Sequence, residues 1–212
     1  FEPMQHHNFD VDIVIPSSKQ KVKITAEAIE VNQTRIACND VAAVKYGVSL
    51  IGPAKKPTKK KYTIDVKSKD GKSVSVQFES SKVEELLEED HTYYYIMSGL
   101  WQYVKKHLVS DFIEKLNNQE KLEVGAAKFD YKGFEVSYKT WFLGKTKTGI
   151  LPWSQIKYFL DKGILHVQDM YDKKKNINVS LHNDWNAVVL NTLLHYLSQE
   201  HRKEKLEKGE KI

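Results

Sequence analysis

The sequence predicts an α+β protein of two consecutive units, each a run of short antiparallel strands followed by a helix. Three observations carry that expectation. First, the chain repeats itself. Ile36–Val44 and Leu151–Phe159 share one design, in which an apolar residue leads, a small polar pair follows, and apolar residues return at the same offsets. Val41 answers Ile156 and Val44 answers Phe159. Second, both halves continue into strictly alternating segments around a turn, as half-buried strands do. Third, each half ends in an apolar stripe spaced by three and four residues, the mark of an amphipathic helix.

Taken in order, Phe9, Val11, Ile13 and Ile15 alternate, so residues 1–20 read as an extra edge strand or a linker. Ala28–Val31 then answers Gly133–Val136, and Tyr62–Val66 answers Ile164–Gln168. Their partner strands are Val74–Phe78 and Ile177–Leu181. The turns between them are Lys69-Asp-Gly-Lys72 and Asp172-Lys-Lys-Lys175, and Asp70-Gly71 suits a hairpin because glycine tolerates positive φ. The first helix is expected to start at a capping box of Ser81 and Glu84, with helical residues over 83–90. It is expected to bury Tyr93, Met97, Leu100, Trp101, Val104, Leu108 and Phe112. The second is capped at Asn183 or Asp184 and buries Val189, Leu190, Leu193, Leu194 and Leu197, with Tyr196 answering Tyr103. After Ser198 the pattern decays into charge, so 201–212 reads as a disordered tail. The resulting units are 21–118 and 119–200, divided near Asn117-Asn-Gln-Glu120, where the first stripe ends. They differ by loop insertions, 52–61 in the first and 139–148 in the second.

Each half resembles the bacterial pleckstrin-homology-like (PH-like) families, on Ile29, Asn39-Asp40-Val41 and Asp70-Gly71 in the first and on Phe134 and Trp153-Ser154-Gln155-Ile156 in the second. The resemblance spans most of residues 21–198. It implies two tandem partly open β-barrels of about seven antiparallel strands each, closed by a C-terminal helix. It also implies a binding module rather than an enzyme. Pleckstrin domains that hold phosphoinositides carry basic residues across their first two strands. Here Lys21 and Lys23 occupy the first, but Ile29-Glu-Val offers no basic partner, so the headgroup-specific pattern is broken.

Composition narrows the classes further. The 212 residues carry a net charge of +5 and a pI near 9.0, with 41% hydrophobic and 29% charged residues, a balance that fits a globular protein able to bury a core. Of 33 basic residues only Arg35 and Arg202 are arginine, and the other 31 are lysines. Lysine is a point charge, whereas arginine is the forked reader of phosphates and base edges, so sequence-specific nucleic-acid binding is not expected. No apolar run approaches the roughly 18 residues of a membrane span, so no transmembrane segment is expected. Cys38 stands alone, which excludes an internal disulfide and favours a reducing, cytoplasmic setting. The chain opens on Phe1, which reads as a fragment or processed form and leaves an upstream leader or anchor open.

Catalytic and metal motifs fail on inspection. Gly71-Lys72-Ser73 and Gly144-Lys145-Thr146 lack the leading glycine of a phosphate loop, since Val66 and Lys139 stand there. No serine sits in a Gly-x-Ser-x-Gly elbow. Cys38 reads as a packing residue. His6 and His7 lie near the terminus, and His91, His107, His195 and His201 form no His-x-x-x-His pair. A cluster of His166, His182 and Asp184 is conceivable, but ordinary half-buried histidines are the simpler reading. Glu84, Glu85, Glu88, Glu89 and Asp90 make an acidic helical face that reads as solvated surface. No catalytic residue, metal or cofactor is therefore expected.

One cluster remains. Lys55, Lys56, Lys59, Lys60 and Lys61 are gathered in a loop stiffened by Pro53 and Pro57, a tentative anion-binding site. The leading functional expectation is a noncatalytic interaction or scaffold module that binds a protein or peptide partner. One alternative is a peripheral binder of anionic membrane lipids working weakly through the 55–61 loop. Another is a histone-chaperone-like tandem module, against which the basic charge counts.

Overall fold

A computed structural model describes residues 8–141 and 144–212. The protein is α+β, with four antiparallel sheets and a few helices. It divides into two compact units, one up to His107 and one from Leu108 onward.

In the first unit, β1 (Val11–Val14), β2 (Lys21–Ile24), β3 (Ala28–Val31) and β4 (Thr34–Ala37) form a four-stranded sheet in that order. Alternation decides which face packs: Val22 and Ile24 are buried while Lys21 and Lys23 face solvent. A single 3-10 turn, Cys38–Asp40, leads into the three-stranded sheet β5 (Val41–Ile51), β6 (Lys59–Ser68) and β7 (Ser73–Ser80). Helix α1 (Glu88–Leu100) follows and passes into a π-turn over Trp101–Lys105. Its face is Tyr93, Ile96, Leu100 and Val104, and Tyr93 stacks on Tyr62 at 4.3 Å between ring centroids. Strand β1, before Lys21, is an edge strand tied down by α1 and the π-turn. Tyr95 donates to the Asp10 carbonyl and Tyr103 to its carboxylate, each at 2.7 Å. Gly99 lets β1 approach, because a Cβ there would stand 2.8 Å from Val11.

The second unit begins within α2 (Lys106–Asn117). Strands β8 (Leu122–Val124), β9 (Ala127–Asp130), β10 (Gly133–Lys139) and β11 (Thr146–Pro152) form a four-stranded sheet with neighbours in chain order. A 3-10 turn, Trp153–Gln155, leads to the three-stranded sheet β12 (Ile156–Asp161), β13 (Ile164–Asp169) and β14 (Asn176–Ser180), and then to α3 (Ala187–Leu197) and α4 (Arg202–Glu207). Trp153 centres the core. It meets Phe134 edge-on at 5.0 Å, Phe129 lies 6.0 Å away, and its indole N–H donates to the Asp130 carbonyl at 2.9 Å. The five expected residues of α3 are all buried. Gly133 is obligatory: at φ +144° a Cβ would stand 2.0 Å from the Leu151 carbonyl oxygen.

Ile36–Val44 and Leu151–Phe159 run through the same elements, from a fourth strand through a 3-10 turn into a fifth. Several expectations are corrected. Where two partly open barrels are expected, the sheets among the described residues are separate hydrogen-bonded sets and no closed barrel forms. The boundary falls at His107/Leu108, inside the helical stretch, because Phe112 packs on Phe129 of the second unit at 6.3 Å. Residues 201–212 are not a free tail, since α4 buries Leu206 and Glu207 accepts from the Ser154 N–H at 2.7 Å. Helix α1 starts at Glu88 and not in 83–87, and its cap is Asp90 reaching back to the Leu87 N–H at 2.7 Å rather than Ser81 with Glu84. Helix α3 has Asn186, in the left-handed region, as its N-cap residue in place of Asn183 or Asp184. Trp101 is 43% exposed, because the α1 face is centred on Ile96 and Leu100, one residue off the expected stripe.

Candidate functional site

The five lysines of the tentative anion site do not form one surface. Lys59, Lys60 and Lys61 belong to β6, where successive side chains point to opposite faces. Lys60 therefore turns inward with Tyr62 and Ile64 and is 8% exposed. Its ammonium lies 2.7 Å from the Asp90 carboxylate and donates to the Glu85 carbonyl at 3.3 Å. Lys59 pairs with Glu79 at 3.3 Å, and Lys61 stands opposite Glu79 in the ladder. Lys55 and Lys56 are exposed in the loop, and Lys59 is exposed at the start of β6.

The Lys60–Asp90 contact belongs to a buried polar cluster. Asp90 also accepts hydrogen bonds from the Tyr62 hydroxyl, from the Ser80 hydroxyl at 3.0 Å and from the Leu87 N–H. Burial pushes the Asp90 carboxyl up. The donors led by Lys60 and Tyr62 outweigh burial and hold it well below the usual carboxylate range. Burial first, and then Asp90, push the Tyr62 phenol up. Every partner is satisfied within the cluster, so its chemistry is structural: it fixes the start of α1 against β6 and β7.

Other titratable groups are similarly occupied. The Cys38 thiol donates to the Thr25 carbonyl at 3.4 Å, and burial pushes its pKa up against a weaker pull from Arg35. A raised thiol pKa makes a poor nucleophile. Lys105 donates to the Tyr46 hydroxyl and lies 5.6 Å from the Trp101 ring centroid; burial lowers its pKa to about 8 and raises that of Tyr46 to about 12. Asp184 accepts from the Ser180 N–H at 2.7 Å and His166 stacks on Phe159 at 4.7 Å, and no metal-holding group is found among the described residues. His6 and His7 lie outside the described residues. A cleft of about 210 Å³ in the first unit mixes Arg35 and Lys72 with Asp40 and Asp70, and Arg35 is already paired with Glu30 at 3.4 Å. No helix among the described residues is long and apolar enough to cross a membrane.

The surface that sequence reasoning missed is the edge of the second unit's three-stranded sheet. Strand β12 is the outer strand of β12-β13-β14 and pairs with β13 from Ile156–Asp169 to Asp161–Ile164 without interruption. Phe159 is 46% exposed and Leu160 49%. The matching position in the first unit, Val44, is buried, and the cause is local. Strand β5 carries a bulge between Val41 and Ala43 that shifts its alternation by one residue and turns Val44 inward. Strand β12 has no bulge, so Phe159 faces out. Helix α4 meets the start of this edge, where Lys203 donates to the Ile156 carbonyl at 3.4 Å. Compared with known proteins, the chain matches no family model, no curated protein and no solved structure.

Proposed function

We propose that the protein is a noncatalytic binding module that takes an extended peptide segment along β12 of its second unit. One observation carries the reading: β12 is an outer strand with exposed Phe159 and Leu160 beside main chain that pairs on one side. An unpaired strand edge is a template for a further strand, with main-chain hydrogen bonds supplying affinity and side-chain contacts supplying selectivity. Phe159 and Leu160 alternate across the strand, so an added strand would find an apolar contact on each face.

The element order supports reading both units as PH-like copies, each a four-stranded meander, a 3-10 turn, a three-stranded meander and a helix. A single half-buried free thiol fits a reducing, cytoplasmic setting. The test is selection from a random peptide library, followed by amide chemical-shift mapping on the full chain. Selected peptides should perturb Lys157–Asp161 and lose binding to Phe159→Lys. Perturbations that cluster elsewhere, or binding indifferent to that substitution, would refute the edge as the site.

A further inference from the structure

At one end of the second unit two loops present aromatic rings to solvent inside a field of lysines. The β10–β11 connection carries Trp141, which is 92% exposed. The β13–β14 turn carries Tyr171, 82% exposed, beside exposed Met170. Contacts hold the two loops together: Lys174 lies 5.8 Å from the Trp141 ring centroid and Lys175 lies 4.9 Å from that of Tyr138. Between them is an open hollow of about 460 Å³ lined by Ser137, Tyr138, Lys139, Thr140, Trp141 and Lys174.

The turn that holds out Tyr171 is built. Asp169, 4% exposed at its root, accepts from the Tyr171 N–H at 2.8 Å and the Asp172 N–H at 3.3 Å. The Lys173 carbonyl accepts from Gln168 at 3.3 Å and from Asn176 at 2.9 Å. Tyrosine and methionine exposed on a braced turn, with an exposed tryptophan in the loop beside it, are expensive in water unless something covers them.

We propose that this end of the second unit docks on an anionic membrane surface, with Trp141 and Tyr171 entering the headgroup layer. The charge fits that occupant. Lys139 and Lys174 line the hollow with Trp141 and Lys175 lies over Tyr138, while Lys145, Lys147 and Lys173 stand close in sequence, against Asp169 and Asp172. Asp169 is already matched by Lys175 at 4.0 Å, and Asp172 accepts from the Lys174 N–H at 3.0 Å. Lysines attract a diffuse layer of acidic headgroups without needing a forked geometry, and tryptophan and tyrosine favour the membrane–water interface. Nucleic acid fits less well. The second unit's one arginine, Arg202, belongs to neither loop and is spent on the Tyr196 carbonyl and ring and on Glu200. The site shares no residue with Phe159 and Leu160 of β12 or with the 55–61 lysines.

The experiment is co-sedimentation of the full chain with phosphatidylcholine vesicles containing or lacking phosphatidylserine, across a salt series. Binding should require phosphatidylserine and weaken steeply toward physiological salt, where exposed charges are screened beyond about 8 Å. Trp141→Ala and the double change Lys173→Gln with Lys174→Gln should each weaken it about tenfold, the scale set by interfacial anchoring and by lysines near an acidic surface. Neither should move the melting temperature, because the side chains are exposed. Lys55→Gln with Lys56→Gln should leave binding intact. The inference is overturned by absent phosphatidylserine dependence, by binding lost only in the Lys55/Lys56 variant, or by binding that ignores Trp141 and the turn lysines. Tight binding to single-stranded oligonucleotide that needs the same residues, without vesicle binding, would overturn it in favour of nucleic acid.

Discussion

Replacing Asp90 with Ala should be among the most damaging single changes in the first unit. The carboxylate has no exposure and gathers Lys60, Tyr62, Ser80 and the Leu87 N–H. Removing it leaves an ammonium, two hydroxyls and a helix N–H without their acceptor. Breaking a buried pair from one side costs about 3–5 kcal/mol, and loss of a helix cap alone about 1 kcal/mol. These overlap, because the Leu87 bond is one of the four, so about 4 kcal/mol is the expected loss. With a urea m-value of about 2 kcal/mol/M, the first unit's midpoint should fall by about 2 M. Two units can unfold separately, so the reading should come from hydrogen exchange of β6 and α1 peptides along the urea series. Lys60→Met alone should cost a similar amount by stranding Asp90. The double variant should cost less than the sum, since neither charge is then left buried alone. A loss below about 1 kcal/mol for Asp90→Ala, or strict additivity, would show that the cluster is not coupled and refute the reasoning.

Three further outcomes follow from the same structure. Because the native Asp90 pKa is depressed, its contribution is fully present above its unfolded pKa of about 3.9 and lost as pH falls through the lower native value. Acid titration of Asp90→Asn should therefore lack the corresponding loss. At the alkaline end, Lys105 titrates near 8 in the native state against about 10.4 unfolded, so the unfolded chain holds the proton more tightly and stability rises with pH across that window. Lys105→Met should flatten that rise; above about 10 the raised phenols of Tyr46, Tyr62 and Tyr93 reverse it. In the cores, Leu194→Ala and Leu206→Ala should each cost about 2–5 kcal/mol, whereas Trp101→Ala should cost about 1 kcal/mol, all read by denaturant unfolding. A silent Leu206→Ala would return residues 201–212 to a free tail.

Local pattern in the sequence determined most of the element types and their order, with α4 and the start of α1 excepted. Alternation in Tyr62–Val66 and Ile164–Gln168 marks strands because a strand's faces switch at every residue. The Leu190, Leu193, Leu194 and Leu197 spacing marks a helix because a helix returns every 3.6 residues. Both signals are carried by neighbours along the chain, so they can be read without knowing what lies across from them.

What sits opposite each element was decided only by the tertiary structure. Five lysines close in sequence looked like one cation cluster, yet the pleat of β6 sends Lys60 inward to an aspartate thirty positions away. Asp90 looked like part of a solvated acidic face until β6 and β7 supplied its donors. Val44 and Phe159 hold matching positions in the repeat, but one bulge in β5 buries the first while an unbroken β12 exposes the second. Leu206 sits among charges and takes its burial from the core that α4 meets, not from its own neighbours. The exposed end with Trp141 and Tyr171 exists because folding brings two loops together across thirty residues of chain. Periodicity records how a residue relates to its own strand or helix. Burial, pairing and shared surface depend on residues distant in the chain, and those relations arise only when the chain has folded.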